Sequence, residues 1–469
     1  MIIEKKKLLD SLPPEWPDEV LPQIRASLQI SGLKVVVLDD DPTGTQTVYD
    51  VTVLTRWDVQ TLFSALSEPD PILYILTNSR RFSLEEAQVM NREIACNLLQ
   101  ASQLTRRRFS VVSRSDSTLR GHFPGEVDAL VGELGQDIDG LLVIPFFEEG
   151  GRLTVNDTHY VAEQEMLVPA GETEYAKDAT FGYRSSNLRE WVSEKSKGRI
   201  KAEDVASIDL TTIRRGGPGS VAQLLKQLQG GQVCVVNAAS YRDMEVFVAG
   251  LLQAESAGKD FIYRTAASFV RVRGGLGPHP LLSADQLGLY GDQTGGLIVA
   301  GSYIRKSSEQ INAVISLPGV TAIEVSVPGL LEEAQRKEEV NRVSGLVDEV
   351  LKQGEDVLIY TSRELVTGKD AVSSLQIGQS ISDGVVEIIR LLQRKPAWVI
   401  AKGGITSSDV ATQGLWIGQA RVMGQILPGV PVWRTGVDSR WPNLIYVVFP
   451  GNVGGPEAIA EAVKRLRGS

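Results

Sequence analysis

The chain has 469 residues, 42% hydrophobic and 23% charged, the proportions of a globular protein long enough to bury two or three cores without disulfide or metal staples. Its 48 Lys and Arg against 58 Asp and Glu leave a formal charge of −10, which excludes a global basic field for nucleic acid. An anionic ligand must then be held by locally placed Arg, Lys and backbone N–H groups.

The first 31 residues are charged and interrupted by proline, and read as an arm laid on the surface. KVVVLDDD follows, a β-branched apolar run ending in acids, and predicts a strand buried on both faces of a parallel sheet. Further strands are predicted at Ile72–Leu76, Ser110–Val112, Leu141–Ile144 and Val233–Val236. Between them SLEEAQVMNREIACNLLQ has a helical period, with Ser83 as N-cap and Glu86 as its capping-box partner. The run Arg106–Arg108 fits a solvated helix C-terminus. The Gly- and Pro-rich stretch 273–296 lacks a period and is expected to link a first domain, 32–272, to a second, 297–469. The second begins with GLIVAGSY and continues with strands at Val357–Tyr360, Trp398–Ala401 and Ile445–Phe449. Strands alternating with helices give the fold class: α/β, two domains with mainly parallel sheets. No run approaches the roughly 18 apolar residues of a membrane span. The N-terminus lacks the apolar core of a signal peptide. Cysteines are confined to Cys96 and Cys234, and histidines to His122, His159 and His279. No protein-held metal site is therefore expected, and a cytoplasmic setting is.

The polar residues that follow the strands carry the chemistry. VVVLDDDPTGTQT places Asp39, Asp40 and Asp41 at a strand end, where open α/β sheets bind ligands. YILTNSRRF places Thr77 to Arg80 after a second strand, and SRSDSTLRGH places Arg114, Asp116, Ser117, Thr118, Arg120 and His122 after a third. Arg forks suit a carboxylate and Asp or Ser suit sugar hydroxyls, although Ser-Asp-Ser-Thr also fits a helix cap. IPFFEEGGRLTVNDTHYV adds Glu148, Glu149, Arg152, Asp157 and His159. The second half has three strand–glycine–helix junctions, at LIVAGSYIRKSSEQI, WVIAKGGITSSDVA and YVVFPGNVGGPEAIAEAV, which suit phosphate oxygens or simply turn geometry. There is no Walker A loop and no well-placed G-x-G-x-x-G.

These segments resemble the four-carbon acid sugar kinases, the family once known as domain of unknown function 1537. LDDDPTG is similar to its A-D-D-x-T-G motif, TNSR to T-x-S-R, and SRSDSTLRGH to K-x-D-S-T-x-R-G. The stretch from Pro145 to His159 is similar to P-x-x-x-G-R-T-V…H. AGSYIRKSSEQI, AKGGITSSDVA and PGNVGGPEAI resemble G-S-x-S…Q-I, G-G-[DE]-[ST] and S-G-N-F-G. The resemblance implies an ATP-dependent kinase with Mg²⁺, acting on the terminal hydroxyl of threonate, erythronate or 3-oxotetronate in a cleft between the domains. Asp40 and Asp116 would be catalytic, and Asp41, Arg80, Ser117, Thr118, Arg120, Arg152 and His159 would bind substrate, with Arg80 and Arg120 on its carboxylate. Ser302, Gly403, Gly404, Ile405, Thr406, Gly451 and Asn452 match nucleotide-contacting positions. The partners implied are a sugar acid and ATP, with no nucleic acid or membrane, and a second copy in a homodimer. Ile405 departs from the family's acid, unless Asp409 replaces it, and Phe449-Pro450 departs from its Lys-Ser.

Two other readings remain at this level. VVVLDDDPTGT also fits the D-x-D-x-T opening of haloacid dehalogenase-type phosphatases, with Asp39 as nucleophile and Asp41 as acid/base. Ile405 fits a sensor that binds a sugar acid or nucleotide without turnover.

Overall fold

A computed structural model describes residues 2–135, 137–289, 294–301, 305–362, 371–451 and 453–468. The chain forms two compact units, Met1–Pro278 and His279–Ser469.

The first unit is built on β2 (Lys34–Asp39), β3 (Val51–Leu54), β4 (Ile72–Leu76), β5 (Phe109–Arg114), β6 (Gly140–Ile144), β10 (Ala206–Ile208), β11 (Gln232–Val236) and β12 (Phe261–Thr265). Their order is β10-β11-β6-β12-β5-β2-β4-β3, and every pairing is parallel. All residues of β2, β4 and β6 are buried, as expected for near-continuous apolar runs sandwiched between helices. From β2 the chain goes to β3 and β4 on one side and then to β5 on the other. The strand order therefore reverses between β2 and β5, the kind of switch point at whose carboxyl ends open α/β sheets bind ligands. The helix Leu84–Thr105 begins as its sequence requires: Ser83 Oγ accepts from Glu86 N (3.3 Å) and Glu86 Oε2 accepts from Ser83 N (2.9 Å).

A second, antiparallel sheet joins β1 (Ile3–Glu4), β9 (Met166–Pro169), β8 (Thr158–Glu163) and β7 (Arg152–Val155) in that order. The N-terminal arm is bound to this unit along its length. Besides the β1–β9 pairing, Arg214 Nη1 donates to Pro13 O and Arg242 Nη1 to Asp18 O, each at 2.8 Å. The unit's core runs from Val36, Leu38 and Ile75 through Leu98 and Leu130 to Trp191.

The second unit contains β13 (Leu297–Ala300), β14 (Val320–Val325), β15 (Asp356–Thr361), β16 (Trp398–Lys402), β17 (Gln419–Leu427), β18 (Val430–Thr435) and β19 (Ile445–Phe449). Within the unit their order is β17-β18-β19-β16-β13-β15-β14. The β17–β18 and β18–β19 pairings are antiparallel and the rest parallel. Strand order reverses again, between β13 and β16, because β14 and β15 lie on one side of β13 and β16 on the other. Part of the Gly- and Pro-rich passage belongs to this unit's packing: Leu282 and Leu287 are buried in its core with Ile298, Ile400, Val447 and Ile459.

Candidate active site

In the first unit the register sets Asp39 beside both Leu76 and Arg114, so the chain leaves β4, β2 and β5 at one level. The residues that follow these strands converge on a compact set of acids and arginines. Asp39 is the innermost. Its Oδ1 accepts from Arg114 Nη1 at 3.1 Å, and a Cβ on Gly44 would lie 1.9 Å from its Oδ2. Glycine is required at 44 because the turn Pro42–Thr45 closes directly over this carboxylate. Burial, reinforced by Asp40 and Asp41 and opposed by Arg114, pushes the Asp39 carboxyl up to about 7.

Asp40, buried, follows the end of β2. Its Oδ2 accepts from Ser115 Oγ at 2.7 Å. Its Oδ1 is buried with no hydrogen-bond partner, 3.8 Å from Arg80 Nη2 and 3.9 Å from Arg114 Nη1. Asp41 accepts from Thr43 N at 2.9 Å and meets Arg80 Nη2 at 2.5 Å. Against the penalty of burial, Arg80 and the Thr43 bonds hold its carboxyl below the ordinary range.

Arg80 follows Asn78, which takes the left-handed conformation at φ 52°, and lies in the short turn Ser79–Arg81. It reaches three carboxylates: Asp41, Asp40 and, from Nη1 at 3.6 Å, Asp116. Asp116 also accepts from Arg120 Nε at 2.7 Å and from Thr118 Oγ1. Despite its burial, Arg80 and Arg120 hold the Asp116 carboxyl far below the usual carboxylate range. Arg120 further faces Asp178 at 3.6 Å and stacks on Tyr175, its Cζ 5.2 Å from the ring centre. Arg152 stacks on the same ring at 5.9 Å.

The loop Ser115–Gly121 that carries this set is held from beneath. Arg264, on β12, donates from Nη1 to Asp116 O (3.1 Å) and from Nη2 to Arg120 O (2.9 Å). Tyr183 Oη donates to Thr118 O at 2.7 Å. His159 has no exposed surface. Its Nε2 donates to Ser117 O (2.8 Å), and its Nδ1 accepts from Thr154 Oγ1 (2.9 Å). Burial lowers its imidazole to about 4, so it is neutral. The expectation that His159 touches a ligand is thereby corrected: both ring nitrogens are committed, and the residue braces the loop. The capping alternative for Ser-Asp-Ser-Thr is corrected too. The next helix, Gly125–Leu134, starts at Pro124 without a side-chain cap. The phosphatase reading fails on geometry as well, because the turn over Asp39 leaves its carboxylate no approach for a phosphate ester. Glu148 and Glu149 form a separate group with Tyr241 and Arg271. Asp157 is occupied by Asn237 and Ser207.

In the second unit, Ala300 pairs with Lys402 and Lys402 with Phe449, so Gly301, Gly403 and Gly451 leave three adjacent strands on one edge of the sheet. Gly403 has φ +102°, a conformation that side chains resist, and passes the chain into the short helix Gly404–Asp409. Ile405 is exposed on its first turn. Thr406 turns back toward Gly301, where a Cβ would lie 3.0 Å from Thr406 Oγ1. Asp409 does not take the place of the family's acid. It is buried and accepts from Ser382 Oγ (2.6 Å) and Gln413 Nε2 (3.3 Å). Ser302 and Asn452 lie outside the described residues. Lys402, which sequence reasoning passed over, has no exposed surface. It donates from Nζ to Pro450 O (2.8 Å) and Gly451 O (2.9 Å), tying two of the three turns together. Among the described residues no three His, Cys, Asp or Glu side chains are grouped to hold a metal ion. No described helix is long and apolar enough to cross a membrane.

The two units carry two kinds of site: carboxylates and guanidinium groups in one, glycine turns over a buried lysine in the other. Comparison with known proteins gives these a common class. Residues 35–273 match the sugar-binding N-terminal domain, and residues 297–459 the nucleotide-binding C-terminal domain, of the four-carbon acid sugar kinases; the chain belongs to that family. It is accordingly a phosphotransferase, which sets aside the sensor reading drawn from Ile405. Among curated proteins, D-erythronate kinase of Heliobacterium modesticaldum is 25% identical over 453 residues, covering 92% of this chain and 97% of that protein. Among solved structures, Haemophilus influenzae protein HI1011 shares the fold with a TM-score of 0.60 at 18% identity, covering 91% of this chain and 98% of its own. A protein from Salmonella typhimurium LT2 with a provisional tRNA-synthase label has a TM-score of 0.66 at 16% identity, covering 92% and 98%.

Proposed function

We propose that the protein is an ATP-dependent kinase that phosphorylates the terminal hydroxyl of a four-carbon sugar acid of the erythronate or threonate type. The observation that carries this reading is Asp40 Oδ1, a buried carboxylate oxygen with no hydrogen bond, on the residue that follows β2 where strand order reverses. An acceptor in that position suits the proton of a substrate hydroxyl. The likeness to a D-erythronate kinase supports the substrate class.

In this mechanism the substrate hydroxyl gives its proton to Asp40 Oδ1 as its oxygen attacks the γ-phosphorus of ATP, and ADP leaves. Arg80 and Arg114 each bring a guanidinium nitrogen within 4 Å of that oxygen. Asp116 is a poor base because its two arginines hold it ionised. Its task is to fix Arg80 and Arg120. ATP supplies the phosphoryl group, and the turns at Gly301, Gly403 to Thr406 and Gly451 are the residues that would receive its phosphates, with Lys402 holding the second and third in register. A Mg²⁺ ion arriving with the nucleotide would be held mainly by phosphates and water, since such ions need only one or two protein carboxylates.

The test is an ADP-release assay over D-erythronate, the threonates and the 3-oxotetronates. Release is expected with at least one of these acids. Asp40→Asn is expected to lower kcat by about 10²–10⁴-fold, the usual contribution of a general base. Equal rates for the two enzymes would remove Asp40 from the mechanism, and no release with any of the acids would remove the substrate class.

A further inference from the structure

Three aspartates stand in a row at the end of β2, and the mechanism uses the middle one. The outer two hold the arginines that flank it. Arg114 Nη1 donates to Asp39 Oδ1 at 3.1 Å and lies 3.9 Å from Asp40 Oδ1. Arg80 Nη2 meets Asp41 Oδ2 at 2.5 Å and lies 3.8 Å from the same Asp40 oxygen. In each case the nitrogen that approaches Asp40 is already taken by the neighbouring acid. The outer carboxylates are themselves fixed. The turn Pro42–Thr45 closes over Asp39, where a Cβ on Gly44 would lie 1.9 Å from Oδ2, and Asp41 accepts from Thr43 N at 2.9 Å. Ser115 Oγ holds the other oxygen of Asp40 at 2.7 Å. Asp40 Oδ1 thus keeps its lone pairs unused although two cations stand within 4 Å of it.

Arg114 is the arginine whose restraint matters most. It is buried and its Nε has no acceptor, so water does not solvate it in place of an acid. A guanidinium group also stays charged whatever surrounds it. With Asp39 gone, Asp40 is the acid that remains within 4 Å of it.

We infer that Asp39 is a positioning residue for the phosphoryl transfer: it draws Arg114 aside and so keeps Asp40 Oδ1 open to the substrate hydroxyl. The inference rests on the kinase reading above, in which Asp40 is the base. Without Asp39 the Arg114 guanidinium closes on Asp40 Oδ1 and occupies the place of the hydroxyl proton. That charge-assisted hydrogen bond must then break before each transfer.

The test is steady-state kinetics at pH 8, where the Asp39 carboxyl, pushed up to about 7, is ionised in the wild type. Asp39→Ala is expected to lower kcat about 10- to 100-fold, the worth of a hydrogen bond to a charged group, with KM for ATP unchanged. Adding Arg114→Met, which keeps an apolar stem and removes the guanidinium, is expected to recover most of that kcat. A residue that only filled space beneath the turn would behave in the opposite way, because a second buried change would add its loss to the first. The same comparison between Asp39→Asn and Asp39→Asn/Arg114→Met carries the test if the alanine variant does not fold; the loss there is smaller, since an amide oxygen still accepts from Arg114. Wild-type kcat in folded Asp39→Ala would overturn the inference. So would a double variant no faster than its Asp39 parent. A wild type that phosphorylates no sugar acid is a different result: it removes the kinase reading, and this inference falls with it.

Discussion

Glu126 is a carboxyl group placed where a carboxylate is poorly solvated. It accepts from Ser79 Oγ and Asn91 Nδ2, but burial, with Asp40 adding to it, pushes it up from 4.5 to about 7. Between those values the folded protein keeps a proton that the unfolded chain has released, so stability falls as pH rises through this window. The loss is on the order of 3 kcal/mol at about 1.4 kcal/mol per pKa unit. Glu126→Gln is expected to remove it, making urea unfolding curves at pH 5 and pH 8 more alike than in the wild type; an unchanged gap would contradict the argument. Gly44→Ala sets a methyl group against the Asp39 carboxylate. It is expected to destabilise the fold by about 1–3 kcal/mol, as overpacking does, and to depress turnover with it. At this scale the sequence is an uneven guide. Asp40, Asp41, Arg80, Asp116 and Arg120 stand in short motifs after strands, and the structure gathers them. Arg264, Tyr183 and Tyr175 are brought in from distant segments by tertiary packing and have no local signal. His159 stands in a polar motif but faces inward, a distinction that residue type does not encode.

The helix at Leu84–Thr105 and the buried strands were legible because local chemistry and tertiary burial point the same way. Ser83→Ala removes the hydroxyl that accepts from Glu86 N and is expected to lower stability by about 1 kcal/mol, measured by urea unfolding. Two antiparallel pieces were overlooked although signals existed. Asn156 and Asp157, at φ 50° and 60°, form the two-residue turn between β7 and β8, with both residues left-handed as a type I′ hairpin requires. An Asn-Asp pair is a weaker sign than Asn-Gly. Pro428 and Gly429 join β17 to β18, and β17 alternates buried and half-buried residues along most of its length. Lys402 was missed for another reason: a lysine at a strand end is usually solvated, and only the fold turns this one inward against Pro450 and Gly451. Lys402→Met is expected to loosen the turns at Gly403 and Gly451 at once. It should raise KM for ATP while KM for the sugar acid holds, and an effect confined to the sugar acid would contradict the assignment.

Each whole unit repeats one design, a mainly parallel sheet whose strand order reverses beside its polar residues, and each received a different ligand chemistry. The division of labour has a direct consequence for amide hydrogen exchange. A bound sugar acid is expected to slow exchange at residues 39–46, 77–82 and 115–121, and a bound nucleotide at 403–409 and near 451. The alternation of strands and helices announced this architecture, whereas the arm of 31 residues gave no sign of its β1–β9 pairing, because a two-residue strand is too short to leave a period. What the two halves achieve together is most directly read in the product. Phosphorus–proton NMR of the material formed from ATP and the four-carbon acid that supports ADP release is expected to show a phosphate ester coupled to the terminal methylene protons, formed by the wild type and lost in Asp40→Asn. Phosphate on another hydroxyl, inorganic phosphate alone, or the same ester made equally fast without the Asp40 carboxylate would contradict the account.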